Sequence, residues 1–382
     1  MHKGMTRRVK TEPVHGRLAD HLAIGILTSA FPVPLLDEVV LASGCADQRR
    51  RALPARLTIY YVLALCMFPD RNYDEVMRLL LNGLSWRSHW AKSWEVPSVS
   101  AISRARARLG AEPLRVLFRR VAVPLPEPGA TGSRLAGLRA VMMDGTTLTV
   151  PETRDNAAFG YPDESARLPC VRVVAVVDGG THALIDATIG GSGAGRQALA
   201  PRLLRRLEPG VLLLAGPGAR GAELWRKAAG TGTHLLWRTG EAGGFPVARR
   251  LGDGSFLSRP PGWADALLRV IPLPGTERLV TTLLDPGRAP APELVARYAE
   301  RWVMDGALAW LRSDRSGATV TLRSRTPETV AQEIWALLCV YQAVRALTCR
   351  GAGRARVRPA SRMRTGRRAE GVLRGEGVLR GW

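Results

Sequence analysis

The sequence predicts an α/β fold preceded by an all-helical region, and three observations support this prediction. From residue 18 to about 123, apolar residues recur at helical spacing. A segment rich in Pro, Gly and Ser follows at 124–135, and such a composition is typical of a domain boundary. Beyond it the patterns run strand, hairpin, helix, strand, helix, which is typical of an α/β layer. We therefore expect a helical N-terminal domain over 1–123, a linker, and an α/β domain over 136–348.

The helical region begins with four helical segments, and one of them, ARLTIYYVLALCMF, is apolar on nearly every face. It should be a central helix, whereas YDEVMRLLLNGL is amphipathic. Further on, SVSAISRARARLG offers Ser98 or Ser100 as the N-cap and Gly110 as the C-cap of a helix. This helix carries three arginines after a short Pro-containing turn: Arg104, Arg106 and Arg108. The pattern is typical of a DNA-binding helix-turn-helix, and an ordinary basic surface helix is the alternative.

Each element of the α/β domain follows from a local pattern. LRAVMMDGTTLTV predicts a strand, and CVRVVAVVDGGTHALIDATIGG predicts a hairpin that turns at Asp178. VLLLA predicts a buried strand, and the segments on either side of it, AGRQALAPRLLRRL and AELWRKAA, predict helices. Residues 237–290 should form short strands with many Gly and Pro among them, residues that mark turns. APELVARYAERWVMDGALAWLR and PETVAQEIWALLCVYQAVRAL predict two final helices.

The charge of the chain indicates a polyanionic partner. There are 55 Lys and Arg against 33 Asp and Glu, which gives a formal net charge of +22. We expect nucleic acid first and a membrane surface second, since no run of 18 apolar residues is present to span a membrane. The N-terminus lacks the apolar stretch of a secretory signal, so we expect a cytoplasmic, nucleoid-associated protein. Five scattered cysteines without a C-x-x-C pair predict neither disulfides nor a zinc site.

The last segment, 349–382, has a different character. It is rich in arginine and ends in the tandem repeat GVLRGE/GVLRGW. Such a composition predicts disorder, because it offers too little apolar surface for a core. Contact with nucleic-acid phosphates and a shifted reading frame are two interpretations that the sequence leaves open.

A glycine pattern after VLLLA resembles a dinucleotide-binding fingerprint. Gly216, Gly218 and Gly221 have the spacing G-x-G-x-x-G, and Glu241 follows twenty residues after the last glycine. However, Pro217 removes an N–H from a loop that would bind pyrophosphate through N–H groups. The chain also shows no further run of βαβ units. NAD binding is therefore a distant alternative.

Two sets of polar residues are candidates for chemistry. Asp144 ends the run AVMMD, and a carboxylate at a strand end can hold a divalent cation; a simple Asp-Gly turn is the alternative. Four residues of a late helix have spacings of three, four and seven, which brings them near one face: Tyr298, Arg301, Asp305 and Arg312. The alternative for this second set is a salt-bridged solvent face.

Several long segments of the chain carry a resemblance to a known family. VPSVSAISRARARLG, LRAVMMDGTTLTVPETRDNAAFG and TLRSRTPETVAQEIWALL occur in the order found in IS4-family transposases of the actinobacterial type. The resemblance runs from about His15 to Leu347. It implies an RNase H-like catalytic core with an Asp-Asp-Glu triad, two Mg²⁺ ions and a β-rich insertion, here 237–290. It also implies DNA transposition, with the terminal repeats of an insertion element as double-stranded DNA partner. A homodimer on that DNA is an interpretation that the sequence leaves open.

The resemblance assigns roles to single residues. Asp144 matches the first acid, and Asp305 stands where the family has the third, a Glu. Tyr298, Arg301 and Arg312 match the Y-x2-R-x3-E-x6-K signature, with Arg in place of Lys. Gly216 stands where the family has its second Asp. We therefore expect a degenerate copy that has lost cleavage; a DNA-binding remnant without catalysis is the corresponding alternative.

Some residues have more than one interpretation at this point. Asp178 and Asp186 are the only nearby acids that we consider as substitutes for the second Asp. Trp237 and Trp263 lie in or near the insertion, where stacking on a flipped base is conceivable. The spacing of three earlier tryptophans favours packing in a core over stacking on bases: Trp86, Trp90 and Trp94.

Overall fold

The computed structural model describes most of the chain, with gaps at both termini and in several loops. The described residues are 18–49, 51–86, 96–126, 134–216, 222–240, 244–261, 263, 266–300, 302–312 and 321–356. Among them no single helix is long and apolar enough to cross a membrane; only the pair Leu22–Ala30 and Val33–Ala42, bent by 55°, meets that length and composition together.

The described N-terminal part folds into helices, as its apolar spacing predicts. The helices are α1 Leu18–Ala30, α2 Val33–Ala42, α3 Ala55–Met67, α4 Tyr73–Trp86, α5 Val99–Leu109 and α6 Glu112–Val121. Pro32 separates α1 from α2 in an extended conformation, because proline cannot continue the hydrogen bonds of a preceding helix. α3 is buried along nearly its whole length, which confirms the prediction of a central helix.

The two ends of α5 are stabilised by the residues that the sequence indicates. The Ser98 hydroxyl accepts a hydrogen bond from the backbone N–H of Ala101 at 3.3 Å, so Ser98 rather than Ser100 is the N-cap. Gly110 ends the helix with a φ of 69°, a conformation that glycine adopts at low cost. The helical prediction for this segment is therefore confirmed.

The described strands form one 10-stranded sheet. They are β1 Arg134–Leu135, β2 Leu138–Thr149, β3 Cys170–Asp178, β4 Leu184–Gly191, β5 Val211–Ala215, β6 His234–Thr239, β7 Arg249–Arg250, β8 Phe256–Ser258, β9 Leu268–Pro272 and β10 Arg278–Thr281. The order is β4-β3-β2-β5-β6-β10-β9-β8-β7, and β1 pairs with β2 outside this path. The predicted hairpin is confirmed as β3 and β4, which pair antiparallel.

The first five strands of this order form the RNase H-like core that the resemblance implies. β2, β3 and β4 are antiparallel, whereas β5 and β6 run parallel to β2. Helices α7 (Arg196–Leu204) and α8 (Ala222–Ala229) connect β4 to β5 and β5 to β6. β10 pairs with β6 antiparallel, and β9, β8 and β7 continue the sheet from it. The prediction of an RNase H-like core with a β-rich insertion is therefore confirmed.

The arrangement of the sheet also bears on the dinucleotide alternative. In the described sheet only the pairs β2–β5 and β5–β6 are parallel, and a doubly wound nucleotide-binding sheet needs a longer parallel series. Gly218 and Gly221 of the fingerprint lie outside the described residues.

The helical region and the sheet share one hydrophobic core. The last helix, α11, spans Pro327–Arg356 and packs against both α3 and α6. The resulting cluster contains Leu63 of α3, Phe118 of α6, Val173 of β3 and Ile334 of α11. α11 also runs past residue 349, where the sequence predicts the start of a disordered tail. The tail beyond Arg356 lies outside the described residues.

The predicted helix over 291–312 is divided in two. α9 spans Ala291–Ala299 and α10 spans Trp302–Arg312. Glu300, with φ −70° and ψ −4°, ends α9, and its backbone N–H is shared among the last carbonyls of that helix. Tyr298 therefore lies on α9, whereas Asp305 and Arg312 lie on α10. Arg301 lies outside the described residues, so the common face of these residues stays a prediction.

The turn between β3 and β4 contains a histidine that should make stability depend on pH. His182 has a φ of 58°, and its carbonyl accepts a hydrogen bond from Tyr341 of α11 at 2.9 Å. Burial, together with the nearby Arg345 guanidinium, lowers the pKa of the His182 imidazole. The unfolded chain, with a pKa of about 6.5, therefore takes up the proton first as pH falls.

We expect the contribution of His182 to be fully present above about pH 6.5 and to be lost as pH falls below it, by at most about 1.4 kcal/mol per pH unit. Replacing His182 with Asn, which tolerates positive φ, should make the free energy of unfolding less dependent on pH between 5 and 7. Urea unfolding at several pH values measures this. An equal pH dependence in both proteins would show that His182 is not the titrating group.

Candidate functional site

The first candidate acid, Asp144, lies inside a strand and not at the end of one. β2 continues to Thr149, because β3 pairs with it over that whole length and Asp144 faces Ala175 in the register. One carboxylate oxygen of Asp144 accepts the N–H of Gly145 at 2.7 Å. The predicted strand end and the alternative Asp-Gly turn are therefore both wrong, although Asp144 remains at the point where the parallel neighbour strand ends.

That neighbour strand, β5, brings the second candidate position next to Asp144. Met143 of β2 is paired with Ala215, the last residue of β5. The residues that follow these two, Asp144 and Gly216, are therefore adjacent across the strands. Gly216 is buried, and as a glycine it offers no carboxylate beside Asp144.

Strand alternation shows that both positions face the same side of the sheet. Met142 of β2 and Leu214 of β5 belong to the core shared with the N-terminal helices. Side chains two residues apart on a strand point to the same face. Asp144 and position 216 therefore both face that core, where α10 packs against β2.

Tyr298 of α9 contacts this strand end directly. Its side chain is only 5% exposed, and its hydroxyl donates a hydrogen bond to the carbonyl oxygen of Ala215 at 3.1 Å. Tyr298 is therefore fixed against the residue that precedes Gly216.

The remaining residues of the predicted signature lie on or before α10. The backbone of Asp305 lies in α10, but its side chain is outside the described atoms, and Arg301 lies outside the described residues. Arg312, the last residue of α10, is exposed. Among these residues, the structure brings Asp144, position 216 and Tyr298 together in the described part.

The described side chains do not fit the set of ligands that a two-metal site needs. Among the described residues no group of three or more His, Cys, Asp or Glu could hold a metal ion. A two-metal site requires carboxylates from several directions, and Asp144 is the one carboxylate described at this place. The missing ligand is at position 216, where glycine supplies no side-chain oxygen.

The two acids considered as substitutes are committed elsewhere. Asp178 lies at the other end of the β2–β3 pair, opposite Val141, and its carboxylate binds Arg139 and the Thr181 hydroxyl. Asp186 of β4 accepts the N–H of Ala187 at 2.9 Å. Burial raises the pKa of Asp186. Neither residue places a carboxylate beside Asp144.

The predicted DNA-binding helix, α5, presents its arginines in different directions. Arg104 is exposed, and Arg108 is also exposed while it donates a hydrogen bond to the carbonyl of Leu53 at 2.7 Å. Arg106 is 3% exposed. Its guanidinium donates to the Gln332 side chain at 2.9 Å and the Ser324 hydroxyl at 2.7 Å. The prediction that Arg106 contacts DNA is therefore wrong.

The aromatic residues of the insertion are packed in the protein. Trp237 is buried on the opposite face of the sheet from Asp144, with its ring 5.2 Å from that of Trp225. The ring of Trp263 also contacts Trp225, at 5.4 Å. Stacking of Trp237 on a flipped base is therefore excluded by its packing. Trp90 and Trp94 lie outside the described residues, as does the side chain of Trp86.

Sequence reasoning missed a buried polar pair that supports α9. Arg269 of β9 is fully buried and is paired with Asp253. It also donates to the carbonyl of Ala289 at 2.6 Å, and Asp253 accepts the N–H of Ala291, the first residue of α9, at 2.9 Å. An isolated Arg in an apolar strand such as LRVIP is the one sequence signal for this pair.

The chain is similar to known transposases along most of its length. Residues 21–119 match the family described as insertion element 4 transposase N-terminal, and residues 136–343 match the family described as transposase DDE domain. The transposase InsG for insertion sequence element IS4 of Escherichia coli K12 is 26% identical over 331 residues, which covers 81% of this chain and 73% of that protein. A putative transposase of the same organism, InsZ, is 26% identical over 162 residues, covering 41% of this chain and 51% of its own length.

A solved structure with similarity to the chain is a piggyBac transposase synaptic complex with hairpin DNA. The TM-score is 0.43 at 12% identity, and the similarity covers 90% of this chain and 83% of that one.

Proposed function

Because the chain belongs to the insertion element 4 family of DDE transposases, we propose that it binds the terminal repeats of an insertion element and no longer cleaves them. The family cleaves DNA and transfers strands with the help of divalent metal ions. The present chain keeps the RNase H-like core, and Asp144 stands at the position of the first acid. The buried Gly216 beside Asp144 is the observation that carries the proposal.

The chemistry of phosphodiester cleavage gives the reason for this loss. Two Mg²⁺ ions about 3.5–4 Å apart need carboxylate oxygens at about 2.0–2.1 Å in near-octahedral geometry. Glycine contributes no side-chain oxygen at position 216. The third position holds Asp305 in place of Glu, so its carboxylate is one methylene closer to the backbone. Losing one carboxylate and shortening another should lower the rate by orders of magnitude, at about 1.4 kcal/mol of barrier for each factor of ten.

The charge of the chain supports retention of DNA binding. A net charge of +22 favours association with phosphates, and each neutralised phosphate releases counterions. We propose double-stranded terminal repeats as the partner, bound by two copies of the chain, as the family membership implies. Mobility-shift measurements at 50 and 200 mM salt test this. We expect tight binding at the lower salt and a strong loss at the higher one; absence of binding at 50 mM would contradict the proposal.

Arg104 is the residue of α5 best placed to contact DNA phosphates, because it is exposed. Arg104→Ala should weaken binding to all DNA sequences and lower the slope of log affinity against log salt by about 0.9. Arg104→Lys keeps the charge and should keep the slope, so it serves as the matched control. The role is disproved when the alanine variant shows an unchanged affinity and slope.

A further inference from the structure

The carboxyl end of β5 is held in place by a contact that does not depend on any metal ligand. The hydroxyl of Tyr298 donates to the carbonyl oxygen of Ala215 at 3.1 Å, and the ring is buried at 5% exposure. Ala215 is in turn paired with Met143 on one side and with Trp237 on the other. The residue after Ala215 is therefore set by β5 and by Tyr298.

Tyr298 itself lies on a helix whose other end is anchored. Asp253 accepts the N–H of Ala291 at the start of α9 at 2.9 Å, and Arg269 fixes Asp253 while donating to the carbonyl of Ala289. Arg269 is fully buried, so this anchor is shielded from water. A charged hydrogen bond is stronger in such surroundings. The insertion therefore holds the start of α9, and Tyr298 near its end holds β5.

We propose that Tyr298 is a positioning residue that keeps position 216 beside Asp144. The backbone at position 216 thus keeps the place of the second acid, although glycine has replaced that acid. The proposal deepens the proposed function, since it rests on the loss of a ligand at Gly216. Its consequence is that a single substitution, Gly216→Asp, places a second carboxylate next to Asp144. Two adjacent carboxylates are a suitable partial site for a hard divalent cation.

Binding of Mn²⁺, followed by electron paramagnetic resonance in the absence of DNA, tests this proposal. We expect Gly216→Asp to bind Mn²⁺ at least about tenfold more tightly than the unchanged chain, and Asp144→Ala to remove the gain. Adding Tyr298→Phe to Gly216→Asp should weaken the binding by about tenfold or more, the range typical of residues that orient metal ligands. The phenylalanine keeps the ring and removes the hydroxyl that donates to the Ala215 carbonyl.

A second tyrosine provides a matched control. Tyr341 is also buried at 5% exposure, and its hydroxyl donates to the backbone carbonyl of His182 at 2.9 Å, at the hairpin turn. Tyr341→Phe in the Gly216→Asp background should lower stability to a similar extent and leave Mn²⁺ affinity unchanged. Equal losses of affinity for both tyrosine variants would assign Tyr298 a general structural role and overturn the proposal.

The proposal would also be overturned if Gly216→Asp bound Mn²⁺ no more tightly than the unchanged chain, because position 216 would then not be held beside Asp144. DNA binding and DNA cleavage by the unchanged chain are measured separately, and these two measurements decide the proposed function.

Discussion

Replacing Arg106 with methionine should lower the free energy of unfolding by about 3–5 kcal/mol. The arginine donates to the side chain of Gln332, the hydroxyls of Ser324 and Tyr73, and the carbonyl of Thr329. Methionine fills much of the volume but leaves these acceptors buried without a donor, at about 1–3 kcal/mol for each unsatisfied group. The loss should also weaken the contact of α5 with α11, since Gln332 lies on α11. Urea unfolding followed by circular dichroism measures the effect.

The matched control is Arg104→Met on the same helix. Arg104 is exposed, and substitutions at exposed sites usually change stability by less than about 0.5 kcal/mol. The two variants should also differ in DNA binding, since Arg104 is the candidate for phosphate contact. If the Arg106→Met protein had unchanged stability but reduced DNA affinity, the orientation of α5 described above would be wrong, because Arg106 would then face the DNA.

The contrast between these two arginines shows what the local sequence can predict. Spacing identified α5 and both of its ends, because caps and apolar periodicity act within a few residues. It could not separate Arg106 from its neighbours, because the main partner of Arg106, Gln332, lies 226 residues away. Arg106 follows Ala105 on the buried face, so the amphipathic pattern offered only a weak sign.

The same distinction explains the other differences. The strands of the core were predictable from apolar runs, since each run is buried whatever its partners are. The division between α9 and α10 was not, because no Gly or Pro marks it in the sequence. The hydrophobic core shared by the helices and the sheet could not be predicted either, since it arises when α11 packs against α3 and α6.

The candidate site could be located from the sequence only with the family resemblance. Register places Gly216 beside Asp144 through the pairing of Met143 with Ala215, and no local pattern reports such a pairing. The contact of Tyr298 with the Ala215 carbonyl was equally out of reach, because a buried Tyr in a helix resembles any core residue.

The second large effect should come from the double variant Gly216→Asp, Asp305→Glu. It supplies both carboxylates at the lengths that the family uses, on a backbone that still holds Asp144 and position 216 side by side. We expect strand cleavage of terminal-repeat DNA in Mg²⁺ at least about 100-fold faster than that of the unchanged chain, equivalent to about 2.7 kcal/mol of barrier. Gly216→Asp alone should recover less, because the third carboxylate stays short. Single-turnover cleavage of labelled DNA compares all three proteins.

The control for this comparison is the double variant with Asp144→Ala added. It should return cleavage to the level of the unchanged chain, since the first acid is then missing. A double variant no faster than the unchanged chain would show that more than these two side chains has been lost.

The most direct measurement is a nicking assay of the unchanged protein on its terminal repeats, with Mg²⁺ and with Mn²⁺, beside its Asp144→Ala variant. We expect that the two proteins bind the DNA and that both leave it uncut. Nicking by the unchanged protein that disappears in the Asp144→Ala variant would disprove the loss of cleavage, because a chain with glycine at position 216 would then be cutting DNA through its remaining acids.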